Sequence, residues 1–355
     1  MPSRSTVAAI LLPAAAGLML IATAMPLAAQ PLETPAEACD RIAGHPDDAD
    51  TIGAGVLIED VDLAAAEEAC GAAVEADPDN RHATFTLGRI LQYQGNFEGA
   101  LPLFERAATA GSTIATTWLG HAYWDGNGVA QDYARAVEYY RAAADLGSSD
   151  ALVFIAFAYQ LGLGVEENAA TAAETYRLAI EAGNESARLY LADLLGGLDA
   201  TDDEFAEAVA IYEALIDEDG DRAPSARNNL AYAWSQRGEN LEEAEALAVA
   251  AMDTMAEDDL SLRAATLDTL AAIRMQLGRL NEAFGDIKAA LAIDPMRVEH
   301  WDRLGDISLM LERETDAVRA WQRALELYLA DPTGVGADWD VEALRHKIDE
   351  HLVRG

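Results

Sequence analysis

An all-α fold is predicted, a right-handed superhelical solenoid of antiparallel helix hairpins, and three observations predict it. The 355-residue chain is 51% apolar, mostly through Ala and Leu, with only 7% aromatics, a balance that favours helices over a β-sandwich or barrel. Leu119, Ala136 and Tyr140 return after 36 residues as Ile155, Ala172 and Tyr176, and after 36 more as Leu191, Ala208 and Tyr212. Further on, Leu270, Ala283 and Ala290 recur 34 residues later as Leu304, Ala317 and Ala324. Self-similarity at such periods is the mark of stacked supersecondary units, since one hairpin cannot bury its apolar stripe alone. Charge narrows the function: 24 Lys and Arg against 62 Asp and Glu give a net charge of −38, which phosphate backbones would repel, so nucleic acid is excluded as a partner. The apolar content is too high for a disordered acidic tail.

Taken in order, residues 1–29 read as a secretory signal peptide. A single charge, Arg4, precedes an apolar stretch from Val7 to Ala24 and the small-residue run Leu27-Ala28-Ala29, the order that export signals show. Cleavage after Ala29 is preferred and cleavage after Ala24 is the alternative; an uncleaved anchor is the competing reading, because about 18 apolar residues lie near the lower limit for a span. The expected destination is a soluble oxidising compartment such as a periplasm, with no membrane insertion of the mature chain. Residues 30–79 contain both cysteines, Cys39 and Cys70. An even pair in an exported protein usually closes into a disulfide, which here ties the unpatterned polar stretch His45–Asp50 against the core, at about 3 kcal/mol in entropy models; two buried free thiols are the alternative.

The array follows over residues 80–332. In each unit a first helix with a Leu and a small residue is followed by a turn and a second helix, where Ala allows close approach and a large side chain sits four residues later on the same face. The turns Gly126-Asn127-Gly128-Val129 and Gly162-Leu163-Gly164-Val165 supply positive φ and return a Val to the core. An earlier copy carries Leu87-Gly88, Ala100 and Phe104, and an intermediate one Leu230, Gly238 and Ala244. Residues 333–355 include an amphipathic stretch, Trp339 to Val353, expected to cap the last apolar face.

On these residues the stretch from Leu119 to Ala143 resembles a Sel1-like repeat, and the stretches Leu267–Pro295 and Trp301–Leu329 resemble ordinary tetratricopeptide repeats. The third unit has Ala156 where Gly is usual, and Gly196-Gly197-Leu198-Asp199 replaces the turn signature in the fourth. Ala66, Cys70, Ala73 and Pro78 fit a second helix whose first helix is missing. The resemblance implies a concave wall built from first-helix positions two before, two after and five after the Leu. Carried over, these are Phe85, Arg89 and Gln92; Thr117, His121 and Trp124; Val153, Phe157 and Gln160; Asn228, Tyr232 and Ser235; then an acidic continuation with Asp268, Asp302 and Asp306. Tyr140, Tyr176, Tyr212 and Trp321 fall at the second-helix position that fills the core. Adjacent helices covering Phe85 and Phe157 is the alternative to their lining a groove. Some relatives grip a peptide's terminal carboxylate with Lys and Asn. Asn228 and Asn229 are present here, but the only lysines, Lys288 and Lys347, are not on a first-helix inner face.

Chemistry has no candidate. None of the six histidines pairs with a second ligand in a zinc motif, the acidic run starting at Asp217 has Arg222 and Asn228 at the sixth and twelfth positions where a calcium loop requires Gly and Glu, and the Gly-x-Gly pairs lie in helical turns. The chain is therefore expected to be a non-enzymatic protein- or peptide-binding adaptor of the bacterial cell envelope without a cofactor, its partner held on the concave face. A basic or zwitterionic segment would be drawn in by the acidic field, at a rate falling with salt. Solubility is the competing reason for the acidity, a scaffold that uses its ends or convex face is the rival role, and a hydrolase is the remote one.

Overall fold

The computed structural model describes residues 33–331 and 340–352, so the signal-peptide reading, residues 30–32 and Trp339 lie outside the described residues. The chain is an all-α solenoid, and among the described residues there are seventeen α-helices and no strand. After α1 (Pro35–Ala43) and α2 (Leu63–Ala76) come seven hairpins. They are α3 (Arg81–Tyr93) with α4 (Phe97–Thr109), α5 (Thr113–Asp125) with α6 (Tyr133–Asp145), and α7 (Ser149–Leu161) with α8 (Ala169–Glu181). Then come α9 (Ala187–Leu195) with α10 (Asp202–Asp217), and α11 (Ala223–Arg237) with α12 (Leu241–Thr254). The last two are α13 (Leu260–Gln276) with α14 (Leu280–Ile293), and α15 (Val298–Met310) with α16 (Glu314–Ala330), and α17 (Val341–Leu352) follows. Each helix packs chiefly on its chain neighbours, as stacking of units too small to stand alone demands. No described helix is long and apolar enough to cross a membrane.

Helix starts repeat with the 36-residue register. Ser112 and Ser148 each accept a hydrogen bond from the backbone three residues on, and Asp132 and Asn168 do the same for the second helices. Such caps satisfy amide donors that the first turn leaves unpaired. The first helices of these units end on Gly126 and Gly162 in the left-handed region, at φ 76° and 66°, where a side chain would be strained. Close approach explains the small residue after Leu119: a Cβ on Gly120 would collide with the Tyr140 ring, as one on Gly305 would with Trp321. Tyr140 and Tyr176 are fully buried, Tyr212 is 2% and Trp321 1% exposed, and the alanines at 136, 172, 208 and 317 are sealed beside them. The aromatic second-helix positions are core, as expected.

The missing first helix of the amino-terminal half-unit is α1, which lies against α2 and is tied to it by the Cys39–Cys70 disulfide. Between them residues 44–62 carry one short 3-10 turn, Ile58–Asp60. At the other end α17 lies on α16 and buries Leu344 and Ile348 in the cluster around Trp321.

Candidate functional site

The inner wall is shaped by what the buried second-helix aromatics require. A phenol or indole can be buried only if its polar tip finds a partner. Tyr140 Oη lies 2.8 Å from His121 Nδ1, Tyr176 Oη donates to Gln160 Oε1 at 2.9 Å, Tyr212 Oη to Asp193 Oδ1 at 2.6 Å, and Trp321 Nε1 to Asp306 Oδ1 at 3.0 Å. First-helix residues placed on the wall are thus spent, in part, on their own hairpins. Burial lowers the His121 imidazole to about 4, so it is neutral. It also stacks edge-on to Phe154 at 4.5 Å. Trp124 is half-buried against Tyr133 and Tyr140, and Phe157 against Tyr176 and Tyr190.

The amino-terminal end of the groove is filled by the chain itself. Phe85, expected on an open wall, is fully buried beneath Phe104, Trp118 and His45. Arg89 is 3% exposed and donates to the carbonyls of Ala43 and Val56, both at 3.2 Å. It holds the segment between α1 and α2, which corrects its expected place on an open concave wall. Gln92 is half-buried. Arg81 pairs with Asp50 and donates to Gly111 O at 3.0 Å. His82 sits between Asp40 and Asp48, at 2.8 and 2.7 Å. Burial works against the His82 imidazolium, but hydrogen bonds and charge from Asp48 and Asp40 outweigh it and hold its pKa above the usual histidine value.

The carboxyl-terminal end is also closed, and here the acidic wall is corrected. Lys347 of α17 reaches Asp302 Oδ1 and Asp306 Oδ1, both at 2.8 Å, and Arg303 pairs with Asp268 at 2.6 Å. Burial disfavours the Lys347 ammonium, yet the two carboxylates more than compensate and raise its pKa. The three nominated aspartates are therefore offset in large part from within, by two cations of the chain itself. Asn228 is 5% exposed and donates to Asn229 Oδ1, whose own amide reaches Asp193. Of the fifteen nominated wall residues only Tyr232, 43% exposed, stands well out into solvent.

What stays open is a cleft of about 800 Å³ between the α1–α2 segment and the amino-terminal ends of α5, α7 and α9. Trp118 and Thr117 line it from α5, Asp47 and Asp50 face them from the segment, and Asp150 and Asn184 come from the starts of the following units. Thr117 is buried, 3.3 Å from Ser148 Oγ. Asp150 accepts from Asn184 Nδ2 at 2.6 Å. Desolvation in the cleft, then the facing charge of Asp47, raise the Asp150 carboxyl in spite of that bond. Among the described residues neither Asp47 nor Asp150 pairs with an Arg or Lys. Burial and the charge of Arg89 lower His45, whose Nδ1 is 3.8 Å from Asp47, against the opposing pull of Asp47 and Asp48.

Residues 113–148 and 149–184 match the Sel1 repeat, and residues 60–113 a tetratricopeptide repeat. The chain carries two consecutive Sel1 repeats. In three dimensions it is similar to the Cut9–Hcn1 hetero-tetramer of the APC/C (TM-score 0.55, 13% identity, 82% of this chain and 52% of that one). It is also similar to yeast Tom70 (TM-score 0.52, 15% identity, 82% and 58%) and to a Sel1 repeat protein from Oxalobacter formigenes (TM-score 0.46, 19% identity, 61% and 95%). The chain thus spans little more than half of the first two, and the likeness is one of helical-repeat fold. No curated protein matches it in sequence.

The Sel1 repeats supply the cleft's far wall, at Ser112–Thr113 and Ser148–Asp150, where the two repeats open, and at Asn184, the last residue of the second. Reasoning from the first-helix inner positions missed Asp150 and Asn184 because they precede those positions. Asp150 and Asn184 are separated by nearly one period, and that recurrence of polar residues at helix starts is the signal that would have found them.

Proposed function

We propose that the protein is a non-enzymatic adaptor of the bacterial envelope, whose cleft beside Trp118 receives a basic side chain from a partner protein segment. One observation carries the reading: Asp47 and Asp150 line the same cleft, the charge of Asp47 raises the Asp150 carboxyl, and neither is paired with the arginines of the lining, Arg81 being held by Asp50 and Arg222 by Ser186. Two such carboxylates gain most from a cation that enters as part of a ligand, and an aromatic wall suits the stem or guanidinium of Lys or Arg. Sel1 and tetratricopeptide repeats commonly serve protein–protein interaction, which supports the class. The envelope setting rests on the signal-like amino terminus and on the Cys39–Cys70 bond.

Cross-linking capture from an envelope extract tests it, comparing the natural protein with an Asp47→Asn, Asp150→Asn double variant. The natural protein should retain a partner that high salt releases, and the double variant should lose it with helical content unchanged. Equal recovery by the two proteins removes the cleft from the reading.

A further inference from the structure

A second cavity, of about 410 Å³, lies on another face, between α14, α15 and α16. Phe284 and Leu291 of α14 and Trp301 and Leu304 of α15 make its walls, spaced by seven and by three residues so that each pair shares a helix face. Two features distinguish it from an ordinary inter-helix gap. Ser308, in its lining, is 1% exposed and its hydroxyl has no hydrogen-bond partner. Several buried hydroxyls bond back to a carbonyl one turn earlier, as Thr116, Thr175, Thr266 and Thr269 do, others accept from an N–H, as Thr84 and Ser112 do, and among the described residues Ser308 is the only buried hydroxyl left unpaired. An unpaired buried hydroxyl is costly until something completes it. The second feature is charge. Lys288 and Arg319 stand exposed at the rim against one carboxylate, Asp316, in a chain of net charge −38. Lys288 makes no ion pair among the described residues and lies 5.5 Å from the Phe284 ring centroid, while Arg319 is 3.7 Å from Asp316.

We propose that this groove binds a small apolar carboxylic acid, its tail between Phe284 and Trp301 and its head group served by the rim cations and the Ser308 hydroxyl. The volume lies in the range of small-molecule sites, and charge-assisted bonds to a carboxylate are what two cations and a free hydroxyl can supply. The field of the molecule as a whole favours the opposite ligand, since a strongly acidic protein attracts amines and repels acids. Local and global electrostatics therefore predict opposite preferences.

Calorimetric titration of the full-length protein with octanoate, octan-1-ol and octylamine decides between them. Octanoate should bind saturably at one site, and octan-1-ol about tenfold more weakly for want of the charge, while octylamine should show no saturable binding. A Lys288→Glu, Arg319→Glu variant, altered only at exposed positions, should lose octanoate affinity by about tenfold or more. Ser308→Ala should weaken octanoate several-fold while raising the thermal midpoint of the free protein, because it removes the unpaired hydroxyl. Tighter binding of octylamine than of octanoate, absence of saturable octanoate binding, or undiminished affinity in both variants overturns the proposal.

Discussion

His121 and Tyr140 share a 2.8 Å hydrogen bond inside the first Sel1 repeat, and burial lowers the imidazole from 6.5 to about 4. The folded protein therefore resists protonation there more than the unfolded chain does. Between those two values the unfolded state binds more protons, so the contribution is complete above about pH 6.5 and declines as pH falls toward 4. Roughly 2 kcal/mol should go between pH 7 and pH 5 from this residue alone. Denaturant titrations at the two pH values should show a smaller loss for His121→Gln, which has no titrating ring, and an equal loss in both proteins would contradict the assignment. The sequence marked His121 as a groove residue because spacing places a side chain on a face but does not reveal whether its polar atoms are already engaged. The same holds for Gln160 and Asp306, whose partners Tyr176 and Trp321 lie 16 and 15 residues away on the other helix of the hairpin.

Among the elements, the segment between α1 and α2 behaves least like its neighbours. It has almost no regular structure of its own, and Arg81, His82 and Arg89, all on α3, hold it down. Because His82 has its pKa raised, its contribution to docking is fully present below the ordinary value of 6.5 and disappears as pH rises through the raised value. Replacing it by Gln should flatten the alkaline decline in thermal midpoint while leaving the acid limb unaltered; a decline of the same size in the variant would locate the titrating group elsewhere. The repeat elements were legible because Ala and Tyr recur in register and each recurrence has a packing cause. This segment was legible only as a tethered polar stretch. Its contacts join residues 31 to 46 apart in sequence through a cation on one side and a carboxylate or carbonyl on the other, and no local periodicity encodes such a pairing.

For the molecule as a whole, stability is shared between adjacent hairpins, so damage at one end should stay near that end. Lys347→Met leaves Asp302 and Asp306 without their cation in a half-buried setting, a loss that costs more than the pair contributed. Amide exchange should accelerate in α15, α16 and α17 and stay unchanged in α3 to α8; uniform acceleration would show that the rod unfolds as one cooperative body. Overall architecture could be read from the chain because stacking needs only a repeated pattern. The closed acidic end could not, since Lys347 meets its partners from 41 and 45 residues away in sequence, beyond the last repeat. The matching starts at Ser112 and Ser148, 36 residues apart with identical capping bonds, have a consequence for ancestry. A tandem copy of one such block, inserted at that seam, would lengthen the rod by a whole hairpin and leave both stoppers seated, so a lineage can change the span of this protein without redesigning either terminus.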